Sequence, residues 1–135
     1  MSGKTGVMKI VKLFFASGIA LIILFVSACN RSEAERDAMS MTGGDPHRGR
    51  AAISRYGCSA CHTIPGVTGA TALVGPPLDR IASRSYIGGV LPNTPDNMIR
   101  WIENPPQIDH LTVMPNLGVS EMDARDIAGY LYTLK

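Results

Sequence analysis

The stretch Cys58-Ser59-Ala60-Cys61-His62 constrains the fold of this chain more than any other. Two cysteines separated by two residues and followed directly by a histidine are typical of the attachment site of a c-type haem. Each thiol can form a thioether to the porphyrin, and the histidine can then offer Nε2 to the iron while its Nδ1 proton is held by an acceptor. The motif therefore predicts one covalently attached haem c, with His62 as an axial ligand.

Two other interpretations of these cysteines are half of a zinc site and a redox-active dithiol. A zinc site would want a second Cys/His pair at matching spacing, and no cysteine follows Cys61. A redox dithiol would be expected between a strand and a helix, whereas a Pro/Gly-rich loop follows this motif. Attachment of haem is the interpretation that the surrounding sequence favours.

The first 28 residues have the layout of a secretory signal. Lys4, Lys9 and Lys12 precede an apolar, charge-free run over residues 13–28. This run is short for a transmembrane helix, which needs ~20 residues. Residues 26–29, Val-Ser-Ala-Cys, resemble the lipobox of bacterial lipoproteins, in which the cysteine is lipidated. The sequence thus predicts a signal over residues 1–28 and a lipid on Cys29, which would hold the protein on the periplasmic face of a bacterial membrane. An uncleaved anchor helix and a soluble periplasmic protein are the alternatives.

Residues 29–43 are polar and mixed in charge, and they contain few apolar side chains. Such a segment buries too little surface to fold alone, so we expect a flexible tether in which any short helix would be marginal. The folded domain is predicted over residues 44–135. It carries eight Lys/Arg and eight Asp/Glu residues, hence a formal net charge of zero. The basic surface that nucleic-acid binding needs is missing.

Capping signals predict three helices in this domain. Asp45 and Pro46 suit the cap and first turn of a helix that reaches about residue 56. Thr94 and Pro95 open a second helix, which should end near residue 103 before two prolines. Ser120 begins the closing helix with a sequence that resembles a capping box. The domain is therefore predicted to be all-α.

The loops between these helices carry further predictions. Gly75-Pro76-Pro77-Leu78 predicts a rigid, extended segment whose free carbonyl could accept the Nδ1 proton of His62. Leu78 would then lie on the haem face. We expect a short helical turn over residues 81–84 and an irregular segment over residues 86–93.

These residues, in this order, resemble class I cytochromes c, the small monohaem electron carriers. The likeness covers about residues 44–135. It rests on the Gly-Asp-Pro helix start, the C-x-x-C-H motif, Gly75-Pro76-x-Leu78, Arg84, Glu103-Asn104-Pro105, Met114 and Ile127-Ala128-Gly129-Tyr130-Leu131. The resemblance implies a small all-α fold of helices and loops wrapped around one haem c.

The resemblance also implies roles for individual residues. Met114, on a loop shortly before the last helix, would be the second axial ligand, and its soft thioether would favour ferrous iron. His110 in the same loop is the alternative ligand. Arg84 and Thr112 stand at positions that serve the haem propionates. Trp101 stands where relatives place an aromatic ring against the haem, and plain core packing is its alternative role.

The sequence departs from the family pattern in two places. Gly49 and Ile53 stand where many relatives carry an aromatic, so Tyr130 of the last helix is expected to pack against a smaller partner in the first. The lysine ring that surrounds the haem edge in mitochondrial relatives is absent. Docking to a redox partner is therefore expected to use an apolar patch, with four candidate residues: Ile64, Val67, Val113 and Pro115.

The predicted function is one-electron transfer without chemistry at the iron, because the protein would fill both axial positions. The expected donor is a quinol-oxidising complex or a periplasmic dehydrogenase, and the expected acceptor is a terminal oxidase. The chain would work as a tethered shuttle or as a subunit of such a complex, and not as an enzyme by itself. A haem sensor or peroxidase-like protein with a dissociable sixth ligand is the second hypothesis, with His110 as its candidate acid–base group. A lipoprotein without haem is the third.

Overall fold

The computed structural model describes residues 33–135, of which Ala34–Lys135 form one compact unit. The predicted signal over residues 1–28 and the predicted lipidation of Cys29 lie outside the described residues. Within residues 33–135, none of the helices has both the length and the apolar character that a membrane crossing requires.

About half of this unit is helical. Helix α1 covers residues 33–42 and is followed by α2 (Pro46–Arg55), α3 (Pro95–Glu103), α4 (Pro105–Ile108) and α5 (Glu121–Tyr132). Two 3₁₀ turns cover Cys58–Ala60 and Ile81–Ser83. Strands β1 (Tyr86–Ile87) and β2 (Leu91–Pro92) pair antiparallel in a small hairpin.

The three predicted helix starts are confirmed by their caps. The Asp45 carboxylate accepts hydrogen bonds from the amides of His47 and Arg48 at the start of α2. The Thr94 hydroxyl accepts from an amide in the first turn of α3, and the Ser120 hydroxyl does the same in α5. Each cap satisfies amides that the first helical turn leaves without a partner.

Residues 33–42 correct the prediction of a flexible tether over residues 29–43, because they form α1 and pack on the folded unit. Ala38 is fully buried and Thr42 is 2% exposed. Arg125 of α5 donates to the Thr42 carbonyl at 3.3 Å, and Lys135 lies 3.6 Å from the Asp37 carboxylate. A short helix is marginal alone, so these tertiary contacts stabilise the part of α1 that the structure describes. The folded unit therefore begins before the boundary that composition suggests.

Helices α2 and α5 approach each other most closely at Gly49. A Cβ atom on Gly49 would lie 1.9 Å from the carbonyl oxygen of Asp126. Gly44, just before α2, is similarly close to the Arg125 carbonyl. The first and last of the three predicted helices thus meet backbone to backbone, whereas the sequence suggested a contact through Tyr130. The Tyr130 hydroxyl instead donates to the Pro65 carbonyl at 2.6 Å.

Asp126 ties these two helices together from a site where it is 2% exposed. Its carboxylate accepts from the Asp45 amide at 2.7 Å and from the Arg48 guanidinium at 2.7 and 2.9 Å. Burial raises the pKa of Asp126, but the hydrogen bonds from Arg48 and from the Asp45 amide outweigh it and leave the pKa below its ordinary value. The folded state therefore favours the ionised carboxylate.

We expect Asp126→Asn to lower the free energy of unfolding at pH 7 by roughly 1–2 kcal/mol, since it replaces charge-assisted hydrogen bonds to a partly exposed arginine. A pKa that is depressed on folding stabilises above its unfolded value of about 3.9, and this contribution is lost as the pH falls through the folded-state pKa. The gap in the free energy of unfolding between wild type and Asp126→Asn, measured by urea unfolding, should accordingly shrink below about pH 4. A gap of constant size from pH 7 to pH 3 would show that the ionised carboxylate is not its source.

Two local elements differ from the sequence predictions. The segment expected to be irregular over residues 86–93 forms the β1–β2 hairpin, whose turn uses positive φ angles of 57° at Gly88 and 78° at Gly89. Pro105, expected only to end α3, also occupies the first turn of α4. Proline suits that position because its missing N–H would have no helical partner there. The helices of the unit are thus joined by a small sheet, which the all-α prediction did not include.

Candidate functional site

A cavity of about 460 Å³, which we call the central cavity, is lined by residues of α2, α3, α5 and the intervening loops. Its volume falls in the range of ~300–1,000 Å³ that is typical of small-molecule and cofactor sites. Most of its wall is apolar. The buried aliphatic and thioether side chains that line it are Ile53, Ile64, Ile81, Ile87, Met98, Ile102, Val119, Ile127 and Leu131. Such a wall favours an apolar occupant and excludes water.

All nine site residues that the sequence predicts within residues 33–135 line the central cavity. They are Cys58, Cys61, His62, Pro76, Leu78, Arg84, Trp101, Thr112 and Met114. These residues come from separate segments of the chain, so it is the fold that brings them together. Cys29, the predicted lipidation site, lies outside the described residues.

The two cysteines lie in the turn that follows α2. Gly57 leaves the helix with a φ of 72°, and the 3₁₀ turn Cys58–Ala60 follows. The His62 amide then donates to the Cys58 carbonyl at 3.0 Å, which places the histidine one turn beyond the first cysteine. Neither Cys58 nor Cys61 is in a disulfide. Burial raises the pKa of the Cys58 thiol, whereas reactive redox cysteines gain their reactivity from a lowered pKa.

The His62 imidazole is held from two sides. Its Nδ1 lies 2.8 Å from the Pro76 carbonyl oxygen, the contact that the rigid loop sequence predicts. Since a carbonyl only accepts hydrogen bonds, Nδ1 carries the proton and Nε2 keeps a lone pair for a metal. Gly75 packs against the same ring, because a Cβ atom there would lie 2.4 Å from Cε1 and 3.0 Å from Nε2. Gly75 and Pro76 thus fix both the tautomer and the position of the imidazole.

The loop that carries Met114 is shaped by hydrogen bonds between its own side chains and backbone. The Asp109 carboxylate accepts from the Leu111 amide at 3.0 Å, and the Thr112 hydroxyl accepts from the Met114 amide at 3.2 Å. The Asn116 side chain accepts from the Gly118 amide at 2.8 Å. Short polar side chains that bond to nearby amides in this way stabilise turns. They hold the half-buried Met114 side chain in the cavity wall.

Met98 is a second thioether in the same wall, although the sequence did not predict it as a site residue. It is buried, and it lies on α3 at helical spacing from Trp101 and Ile102, which also line the cavity. That spacing is a signal that could have placed Met98 beside Trp101 in advance. His110, the alternative axial ligand, is exposed and is not among the lining residues.

Arg84 and Trp101 lie at different depths in the cavity. The Arg84 guanidinium donates to the carbonyls of Pro77 and Asp79, and its side chain is 35% exposed. Trp101 is 8% exposed and its ring packs under Gly88, where a Cβ atom would lie 2.6 Å from Cη2. Arg84 therefore brings a positive charge to the cavity, and Trp101 contributes a large buried apolar surface.

The cavity opens through a rim of exposed apolar side chains. Val113, one of the docking residues expected from the sequence, is 88% exposed, and Val74, Tyr86 and Leu117 are exposed lining residues as well. Two of the expected docking residues are corrected by the structure, since Ile64 and Val67 are buried. Exposed apolar patches of this kind mark surfaces that other molecules cover.

No set of three or more His, Cys, Asp and Glu side chains is arranged to hold a metal ion within residues 33–135. The donors that the central cavity does offer are one imidazole and two thioethers, together with two thiols. An imidazole and a thioether are the axial donors of cytochrome-type haem iron, and thiols are its points of covalent attachment. The size, the apolar wall and the donor set of the cavity therefore fit a haem c.

Comparison with known proteins shows one distant similarity of interest. The chain is 33% identical over 90 residues to cytochrome c oxidase subunit 2 of Alkalihalophilus pseudofirmus. The match covers 66% of this chain and 25% of that relative, so the chain spans about a quarter of the length of the protein it matches. No protein-family model and no solved structure matches the chain. The class I cytochrome c fold stays a prediction.

Proposed function

We propose that this chain is a one-electron carrier that holds one covalently attached haem c in the central cavity. The similarity to a subunit of a respiratory oxidase supports a role in respiratory electron transfer. The finer assignment to a haem c carrier is supported by the residues of the cavity. The observation that carries it is that Cys58, Cys61, His62 and Met114 line one apolar cavity in which Nε2 of His62 has a free lone pair.

Cys58 and Cys61 would attach the haem. Each thiol adds across a vinyl group, so that one S–C bond forms and the thiol proton ends on the neighbouring carbon, with no leaving group. Both thiols are free and half-buried in the cavity wall, as this addition requires. A haem held in this way would supply one-electron redox chemistry.

His62 and Met114 would fill the two axial positions. The hydrogen bond from Nδ1 to the Pro76 carbonyl makes the imidazole a better electron donor and prevents it from rotating. The Met114 thioether is a soft ligand that favours the ferrous state. With both positions filled, no site remains for a substrate, which favours electron transfer over catalysis or gas sensing.

The wall of the central cavity would limit how far water must reorganise when the iron changes its charge. Its buried aliphatic side chains and Trp101 exclude water, and Arg84 supplies a positive charge within reach of an acidic group. The apolar rim with Val113 would dock a redox partner through surface burial, because the net charge of residues 44–135 is zero.

The proposed electron donor is a quinol-oxidising complex or a periplasmic dehydrogenase, and the proposed acceptor is a terminal oxidase. The oxidase similarity supports a place within or beside such a complex. The proposed location is the periplasmic face of a bacterial membrane, with the chain held through a lipid on Cys29. The motif at residues 26–29 supports this anchor.

Covalent attachment is tested first, by mass spectrometry and visible absorption of the protein after denaturation and extraction with acidified organic solvent. Wild type should keep one haem per chain, and the double variant Cys58→Ala/Cys61→Ala should keep none. The variant is matched to wild type in every other residue that lines the cavity. The proposal would be refuted if all of the haem could be extracted from wild type, or if wild type contained no haem.

Binding of carbon monoxide by the reduced protein then distinguishes a carrier from a sensor or a peroxidase-like protein. Wild type should not bind it, and Met114→Ala should bind it because one axial position opens. Met98→Leu is the matched control, since it removes the other thioether of the cavity and should leave the iron closed. Ready binding by wild type would mean that the site is open and that the carrier assignment is wrong.

A further inference from the structure

Asn93 has hydrogen-bond partners within the fold for its side-chain nitrogen, its side-chain oxygen and its backbone amide. Its Nδ2 donates to the carbonyls of Ile81 and Arg84, both at 2.8 Å. Its Oδ1 accepts from the Tyr132 hydroxyl of α5, also at 2.8 Å. Its backbone amide donates to the Ser85 carbonyl at 3.0 Å. One half-buried amide therefore joins the last helix to both ends of the turn Ile81–Ser83.

Apart from its own backbone hydrogen bonds, this turn is held by contacts from other segments. No side chain caps its start, where Arg80 has a φ of 50°, the only positive value among the non-glycine residues of the described chain. A residue with a side chain adopts this conformation only where the surroundings enforce it. The bonds from Asn93 connect the turn to Tyr132 of α5, and a bond from the Ala82 amide to the Leu134 carbonyl connects it to the segment just after α5.

The 3₁₀ turn Ile81–Ser83 also holds the loop that positions His62. The Arg84 guanidinium, at the end of the turn, donates to the Pro77 and Asp79 carbonyls. The carbonyl of Pro76, directly before Pro77, accepts the Nδ1 proton of His62. A continuous path of hydrogen bonds and short chain segments thus runs from Tyr132 through Asn93 and Arg84 to the imidazole.

We infer that Asn93 is a positioning residue which, with Tyr132, holds the loop over residues 76–84 so that the Pro76 carbonyl keeps its hydrogen bond to His62. The inference rests on the proposed function for its effect on the iron, although the loop itself belongs to the chain alone. A weaker hydrogen bond at Nδ1 makes the imidazole a poorer donor, which stabilises ferric iron less. Loss of the Asn93 bonds should therefore raise the reduction potential.

The test uses Asn93→Leu, Asn93→Asp and Tyr132→Phe in the full, haem-loaded protein, with two measurements. Hydrogen exchange of the amides in residues 80–85 should become about tenfold faster in both Asn93 variants, and less so in Tyr132→Phe, which keeps the two Asn93 donor bonds. Exchange in α2 should not change. The midpoint reduction potential should rise in Asn93→Leu and, by less, in Tyr132→Phe. Asn93→Asp is left out of this second measurement, because its new carboxylate would by itself favour ferric iron.

Tyr130→Phe is the matched control, because it removes a hydroxyl from the same helix that bonds to Pro65 in a different loop. It should leave both the exchange of residues 80–85 and the potential near wild type. Unchanged exchange in both Asn93 variants would overturn the inference whether or not haem is present. Faster exchange with a potential equal to that of Tyr130→Phe would overturn the link to His62. If wild type carries no covalent haem, the proposed function fails and the exchange data alone decide the role of Asn93 in the loop.

Discussion

If the chain holds haem c as proposed, Gly75→Ala is expected to break the bond between His62 and the iron while leaving the haem attached to its cysteines. The added Cβ atom would lie 2.4 Å from Cε1 of the imidazole, whereas ordinary contacts begin at 3.4 Å, so the ring must move by about 1 Å. A metal ligand tolerates a displacement of only ~0.5 Å. Overpacking of this kind costs roughly 1–3 kcal/mol, which corresponds to about a 5- to 150-fold loss in the ligation equilibrium. The change should appear as a shift from the low-spin to the high-spin spectrum.

Gly69→Ala is the control for the Gly75 experiment. Gly69 lies in the same loop region and has a φ of 76°, so alanine introduces backbone strain, but nothing lies within 4 Å of its added Cβ. This variant should lose about 1 kcal/mol of stability and keep the low-spin spectrum. Added free imidazole should restore the low-spin spectrum of Gly75→Ala. A low-spin spectrum in Gly75→Ala without imidazole would show that His62 is not held as the structure places it.

Gly49→Ala is expected to be the most destabilising single-methyl substitution in the described chain. In an isolated helix, alanine would be favoured over glycine by roughly 0.5–1 kcal/mol. Here the Cβ atom would lie 1.9 Å from the Asp126 carbonyl oxygen, and a backbone atom cannot turn aside as a side chain can. Helices α2 and α5 would have to separate, which also disturbs the Arg48–Asp126 pair. We expect a loss of more than ~3 kcal/mol, out of a total of ~5–15 kcal/mol that is typical of folded domains.

Arg50→Ala provides the comparison on the same helix. Arg50 is exposed, so this change should alter the free energy of unfolding by less than ~0.5 kcal/mol. Urea unfolding monitored by circular dichroism measures both variants, with equal slopes if the unfolded states are alike. Equal stability of Gly49→Ala and wild type would mean that the two helices do not approach at this residue.

Local signals were sufficient to predict the helices that begin at Pro46, Pro95 and Glu121. Their caps depend only on a polar side chain and the amides two or three residues later, so the information lies within one turn. The hydrogen bond from His62 to Pro76 was predictable for a similar reason, because a histidine in this motif needs an acceptor and the proline loop supplies a rigid one.

The structural features that the sequence did not predict depend on contacts between segments that are far apart in the chain. Helix α1 is polar by composition, and two of its residues have partners near the other end of the chain. Arg125 of α5 donates to the Thr42 carbonyl, and Lys135, after α5, pairs with Asp37. Asn93 gave no sign of its role in the sequence, since its partners are two carbonyls and the Tyr132 hydroxyl, which only the fold brings near. Neither composition nor local periodicity carries such information.

The docking of α1 also determines where a protease could cut the chain without disturbing the folded unit. Tolerance to cleavage follows from the burial and hydrogen bonding of the affected backbone. A cut before residue 33 would leave residues 33–42 of α1 docked on the folded unit. A cut at Gly44 would remove the cover that Ala38 and Thr42 provide and break the link from Arg125. The shed fragment would then expose the backbone at Gly129, which lies close to Gly44 and Thr42 in the intact protein, and it should be short-lived in a compartment rich in proteases.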